Sequence, residues 1–189
     1  MYSLLRVEED EMKAMHEVYI EFSKIVAKAM QQLGYEHDLL IYGSSINGLA
    51  LRGHSDLDLS LVIQNSPEFK SGEEKSQNDK FILRQIILTI NSEKFFIERF
   101  TSESAEVITT SFGYQLKLKE KVHDIDIDVF VNKIVDPFNS YLIQTYAQLD
   151  ERFLKLALIL KFWNKKTFAS MGSNKLNSYS IVLMVIAYL

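Results

Sequence analysis

Asp56 and Asp58 stand two residues apart in the run DLDLSLVI at 56–63. In an extended strand, side chains at i and i+2 leave the same face. The two carboxylates would lie side by side, each raising the pKa of the other unless a cation offsets them. Such oxygen pairs suit Mg²⁺, which takes one or two carboxylates and keeps water and substrate phosphates in its other positions. Leu57, Leu59, Leu61 and Ile63 would face the opposite way, into a core. A second acidic alternation, DIDIDVFVN at 124–132, offers Asp124, Asp126 and Asp128. If this strand lies beside the first, one of its aspartates completes a three-carboxylate cluster able to hold two divalent ions. The pair alone reads equally well as a solvated strand face. Two such strands in one small domain weigh against the other simple reading, an edge strand made acidic to block sheet-to-sheet pairing.

Gly43-Ser44 comes shortly before the first acidic run. A helix opening at Ser44 would offer backbone N–H groups and a hydroxyl to an anion. Gly48 and Gly53 allow tight turns nearby. The closing Gly-Lys-Ser/Thr of a P-loop is absent. Lys161 and Lys165 are i and i+4 on a predicted helix, so both ammonium groups face one way. They could bind the β- and γ-phosphates of a triphosphate and steady departing pyrophosphate, or form a solvated pair favourable to the helix dipole. His16, His37 and His123 show no ligand spacing, and His54 is either near the aspartate pair or a turn residue. The chain has no Cys, which excludes thiol catalysis and disulfides. Its net charge of −4 excludes polyanion binding by bulk charge, so any nucleic-acid contact must use local basic positions or a metal.

Hydrophobic periodicity supplies the elements that would place these residues. It predicts a helix over 9–33 ending at Gly34, with Met12, Met15 and Met30 in its core stripe. A strand over 39–42, a short helix over 44–51 and a strand over 56–63 follow, then a polar loop over 65–79 and a helix over 80–90. Strands are predicted at 95–99, 105–109, 114–118 and 124–132. Helices follow at 139–146 and 150–165, then a loop over 165–176 and a final apolar helix over 178–189. The helix at 150–165 is apolar nearly all round, which predicts burial between other elements. Mixed strands and helices followed by helices alone give an α/β (α+β) domain over 1–146 and the opening of an all-helical one over 147–189. The helix at 9–33 is free to pack on the second. The chain stops inside an apolar helix, so the helical part reads as truncated. The N-terminus has no apolar segment of a secretory signal, and Ile181–Leu189 is too short to span a bilayer. The expectation is an intracellular protein, cytoplasmic or nuclear.

Gly43-Ser44, a short helical spacer and Asp56-x-Asp58 together resemble the signature of the DNA polymerase beta-like nucleotidyltransferase superfamily. More closely, the chain is similar to its noncanonical poly(A) polymerase and terminal uridylyltransferase family. Asp128-Val129-Phe130-Val131-Asn132 followed by Asn139-Ser140 matches one block. Lys161-Phe162-Trp163-Asn164-Lys165 and Ser178-Tyr179-Ser180-Ile181-Val182-Leu183-Met184 match two more, so the likeness covers residues 40–189. The resemblance implies a palm with a mixed sheet flanked by helices, then the start of a helical central domain. It implies that Asp56, Asp58 and Asp128 are the catalytic carboxylates and ligands of Mg²⁺, with Mn²⁺ the alternative. It places Gly43, Ser44, Asn139, Ser140, Lys161, Lys165, Ser178 and Tyr179 around a nucleoside triphosphate, ATP or UTP. In that scheme Ser178 touches phosphate, Tyr179 stacks on the base, Asn139 lies near ribose and base, and Trp163 packs its helix. Ser140 stands where the family has Thr. The implied activity is template-free addition of AMP or UMP to an RNA 3′ end with release of pyrophosphate.

Two departures from the family pattern matter. A later segment that reads the base is absent, and the stretch before Asp128 lacks the family's Val-Pro-Ile/Val-x-Lys, with Val107-Ile108-Thr109 as its remnant. An intact metal site with an incomplete nucleotide pocket and weak turnover is therefore expected. Two other readings stay open: another enzyme of the superfamily, oligoadenylate synthase-like or acting on a small molecule, and a noncatalytic relative that binds nucleotide or RNA. Product formed without RNA would mark the first, and binding without product the second.

Overall fold

The computed structural model describes residues 2–53, 56–100, 105–170 and 176–189, with side chains from residue 4 onward. A short α1 (Tyr2–Leu5) leads into α2 (Glu9–Leu33). Acidic residues fill the first turn of α2, Glu8 and Glu11 form a reciprocal capping box, and Gly34 closes the helix at φ 71°. Its apolar stripe buries Met15, Val18, Phe22, Ile25, Val26, Ala29 and Met30, whereas Met12 is 43% exposed and lies outside the stripe.

Five strands form one mixed sheet: β1 (His37–Tyr42), β2 (Leu57–Ile63), β3 (Glu106–Thr110), β4 (Gly113–Glu120) and β5 (Ile125–Val131). Their order is β1-β2-β5-β4-β3. The central β2–β5 pair is parallel and the others are antiparallel. A parallel pair needs a long crossover. Here it carries α4 (Gly72–Asn91), α5 (Lys94–Arg99) and the β3–β4 hairpin. The remaining helices are α3 (Ser44–Asn47), α6 (Val135–Leu149), α7 (Glu151–Thr167) and α8 (Ser178–Tyr188). The helix α2 packs on α4 and β1, and α1 touches α7.

Three elements differ from the sequence reading. Residues 95–99 form α5, with Phe96 its one buried side chain. A short apolar run cannot distinguish a strand from a helical turn by periodicity. The loop expected over 65–79 gives way to helix at Gly72, because Ser71 Oγ accepts the Glu74 N–H at 3.1 Å. Ser71-Gly72-Glu73-Glu74 is a helix-start pattern of the S-x-x-E kind. The helix expected over 44–51 is one turn long and stops at Gly48, whose φ is 78°.

Two apolar clusters result. The larger joins the α2 stripe to Leu57, Leu59, Leu61, Ile127 and Val129 under the sheet and to Ile82, Leu83, Ile86 and Ile90 of α4. The smaller joins Leu5, Leu49 and Leu51 to Ile143 of α6, to Phe153, Ala157 and Leu158 of α7, and to Val182 and Val185 of α8. Contrary to the expectation of burial all round, α7 buries one side only, and Trp163 is 50% exposed with its ring edge-on to Phe168.

Candidate active site

The sheet register builds the site. Asp58 of β2 is the direct Cα partner of Asp128 on β5. On either side, Tyr42 of β1 pairs with Asp58 and Lys117 of β4 pairs with Asp128. Directly paired residues on neighbouring strands share a face, so Tyr42, Asp58, Asp128 and Lys117 form one row across four strands. Leu57 and Leu59 point away and are buried, as the alternation requires. Asp56 precedes β2 by one residue and is exposed at the mouth of the row.

Gly43 brings the following turn against Asp58. Its φ is 77°, and a Cβ there would stand 2.2 Å from Asp58 Oδ2. Only a residue without a side chain fits such an approach. The turn is held from α6: Ser140 Oγ accepts the Gly43 N–H at 2.8 Å and donates to Asp136 O at 2.8 Å. Gln144 Nε2 donates to Ile46 O at 2.8 Å. The Ser140 hydroxyl is thus engaged in both directions and acts on the turn.

A cavity of about 560 Å³ opens over this end of the sheet. Gly43, Ser44, Asp56, Asp58, Asn139, Ser140, Lys161, Lys165, Ser178 and Tyr179 all line it. Asp128 does not line it, and its carboxylate pairs with Lys117 Nζ at 3.3 Å. Tyr179 is 41% exposed in the wall, so it is not a core residue. His54 lies outside the described residues. Tyr42, Asn47, Asp136, Asn164 and Asn177 also line the cavity. Sequence reasoning missed them because strand pairing and helix packing bring them there. Asn164 alone carried a signal, lying between the two lysines of one matched block.

The electrostatics are those of a site short of positive charge. Burial, then Asp128, then Asp56 push the Asp58 carboxyl up to about 7. Asp56 is raised as well, first by the protein that partly withdraws it from water and then by Asp128 and Asp126. Across the cavity Lys161 donates to Leu49 O at 2.6 Å, and burial lowers its ammonium to about 8. Lys165 is exposed and its charge favours ionised Asp56. Among the described residues no three acidic or histidine side chains converge closely enough to hold an ion as they stand. The donor set still fits a hard divalent cation, because it is all carboxylate oxygen and mutually repelling. Closing it around an ion means exchanging the Asp128–Lys117 pair for the ion.

Comparison with known proteins agrees with the geometry. The family model for the central palm domain of poly(A) RNA polymerase, mitochondrial-like, matches residues 1–148. Poly(A) RNA polymerase GLD2 of Homo sapiens is 34% identical over 167 residues, covering 86% of this chain and 32% of that protein. Poly(A) RNA polymerase GLD2-B of Xenopus laevis is 32% identical over 163 residues, covering 86% and 30%. Among solved structures, the Cid1 poly(U) polymerase with Mg and 3′-dATP bound matches with a TM-score of 0.78 at 22% identity, over 100% of this chain and 52% of that one. The GLD-2/RNP-8 complex matches with a TM-score of 0.79 at 24% identity, over 100% and 53%. The chain spans about a third of the length of the curated relatives and about half of the solved chains. Among the described residues no helix is long and apolar enough to cross a membrane. With its palm sheet, its facing aspartates and this match over most of its length, the chain belongs to the mitochondrial-like poly(A) RNA polymerase central palm domain family.

Proposed function

We propose that the chain is the nucleotidyl-transferring part of a template-independent RNA 3′-terminal nucleotidyltransferase, adding AMP or UMP from ATP or UTP. The observation that carries this reading is the direct pairing of Asp58 with Asp128 on adjacent parallel strands, beside a turn that only glycine can bring so close. Kinship supports it: the relatives are poly(A) RNA polymerases, and the solved neighbours include a poly(U) polymerase with Mg and 3′-dATP bound. The palm corresponds to residues 1–146 and the helical part to 147–189.

Asp56, Asp58 and Asp128 would hold Mg²⁺, or Mn²⁺ in its place. When bound, the metal lowers the pKa of an attacking hydroxyl and offsets phosphate charge. The chain's own residues do the positioning. Lys161 and Lys165 face the β- and γ-phosphates from α7. Ser44 at the turn and Ser178 at the start of α8 offer hydroxyl donors, Asn139 faces the sugar, and Tyr179 offers a flat face to the base. Ser140 fixes Gly43, and through it the approach to Asp58. The RNA 3′ oxygen forms a bond to the α-phosphorus as the bond from that phosphorus to pyrophosphate breaks, and the hydroxyl proton passes to solvent. The three aspartates supply no nucleophile, so catalysis is positioning and charge neutralisation.

The test is incubation of the protein with labelled RNA, Mg²⁺ and each ribonucleotide in turn. Growth with ATP or UTP, lost in Asp58→Ala and Asp128→Ala, is expected. Product without RNA would replace this reading with another enzyme of the superfamily. The pairing of Asp128 with Lys117 favours one further reading, a nucleotide or RNA binder without turnover. Retained binding with no product from any ribonucleotide would establish that reading instead.

A further inference from the structure

Asn164 sits on α7 between Lys161 and Lys165, in the cavity wall, and is 4% exposed. Its Nδ2 donates to Leu176 O at 2.8 Å. That bond fixes the orientation of the amide, because only the nitrogen can donate to a carbonyl. Its Oδ1 is buried and has no partner among the described residues. A buried polar atom without a partner is a standing penalty, and an apolar side chain of the same shape would avoid it. A group kept in that condition calls for a reason beyond packing.

The segment it holds supplies that reason. Leu176, Asn177, Ser178 and Tyr179 form a continuous stretch of the cavity wall. Asn177 caps α8 by accepting the Ser180 N–H at 2.7 Å, so the place of Leu176 sets where the first turn of α8 stands. Among the described residues, the Asn164 bond is the side-chain hydrogen bond that ties this segment to α7. We propose that Asn164 is a positioning residue for nucleotide binding: its amide clasps the 176–179 wall to the helix that carries the two lysines. This rests on the reading of the cavity as a nucleotide site. The clasp keeps the Tyr179 face and the phosphate-facing lysines at a fixed separation, so a nucleoside triphosphate spanning both meets a preformed site.

Two variants of matched shape test this by equilibrium dialysis of labelled ATP and UTP with Mg²⁺, read beside thermal denaturation. Asn164→Leu removes the clasp and the orphaned oxygen together. Asn164→Asp keeps an oxygen in place but loses the donor. Both are expected to weaken binding of the preferred nucleotide ~10-fold, the worth of one well-placed hydrogen bond. Asn164→Leu should do so with a melting temperature equal to or above that of the unaltered protein. A lowered melting temperature with unchanged nucleotide affinity would make Asn164 an ordinary packing residue and overturn the proposal. Unaltered protein that binds neither nucleotide would overturn the nucleotide-site reading and this one with it. Binding by the unaltered protein that Asn164→Leu and Asn164→Asp both match would overturn this one alone.

Discussion

At the scale of single residues, the contact between Gly43 and Asp58 sets the tightest constraint on the site. A methyl group at Gly43 would meet Asp58 Oδ2 at 2.2 Å and Cγ at 3.0 Å, at a φ of 77° that side chains rarely adopt. Gly43→Ala must therefore displace the carboxylate or the turn, while leaving both apolar clusters intact. A displacement of this size is expected to lower the initial rate of RNA extension ~10²-fold with the fold retained. A rate within about twofold of the unaltered protein would show that the turn gives way freely. Asp58 also makes stability depend on pH. Its folded-state pKa of about 7 lies above the ordinary carboxyl value of 3.8. The sign follows: its contribution is full below the ordinary value and is lost as pH rises through about 7. Metal-free protein should melt progressively lower as pH is raised across that interval. Added Mg²⁺ should restore the melting temperature most at the alkaline end, where proton and ion no longer compete. Asp58→Asn should flatten both trends in a differential scanning series, and a flat profile for the unaltered protein would contradict the cause assigned here.

At the scale of elements, the short helix α5 is tied to the sheet by charge. Glu120 at the end of β4 is fully buried, and it accepts from Arg99 Nε at 3.0 Å and from the His123 N–H at 2.8 Å. Arg99 also reaches Glu17 of α2 at 2.8 Å, so one guanidinium joins three elements. Arg99→Met would leave the buried Glu120 carboxylate with His123 as its remaining partner and should cost about 3–5 kcal/mol in urea denaturation. Arg99→Met with Glu120→Met should recover most of that, since an apolar pair removes the stranded charge along with its partner. A single-variant loss below about 1 kcal/mol would mean that Glu120 finds water. None of this tie was legible in the sequence, where Arg99 ended an apolar run and α5 was read as a strand. Elements that declare themselves by long periodicity, α2 and the two acidic strands, were legible to within a residue or so. The start of α4 was missed: Ser71 and Glu74 cap the helix, but the polar composition around them read as loop. Strand order and register were not legible, because long-range pairing leaves no local trace. The aspartates, glycine, serines and lysines of the site stood out because their types at those spacings are chemically unusual. Tyr42 and Asp136 are ordinary residues made relevant only by what folds next to them.

At the scale of the whole molecule, the site straddles two apolar clusters that do different jobs. The larger holds Leu57, Leu59, Ile127 and Val129, and so fixes the strands that carry Asp58 and Asp128. The smaller holds Leu49 and Leu51 against Phe153, Leu158 and Val182, and so fixes where α7 and α8 stand over the turn. The Lys161 bond to Leu49 O, a residue of this smaller cluster, ties α7 to the chain just after the turn. The carboxylates and the two lysines of α7 are therefore positioned by separate packing, and the distance between them is set where the two clusters meet. Phe153 is 2% exposed and stacks at a tilt near Tyr146, so Phe153→Ala should remove about 3–5 kcal/mol from the smaller cluster. Binding of Mg²⁺–ATP and Mg²⁺–UTP should weaken, because the lysines lose their fixed height above the sheet. Binding of Mn²⁺ alone, followed by electron paramagnetic resonance, should change little, because the strands beneath the aspartates are untouched. A parallel loss of Mn²⁺ and nucleotide would mean instead that the two clusters melt as one unit. In that case the nucleotide could not be released by loosening the helices while the metal stays on the sheet.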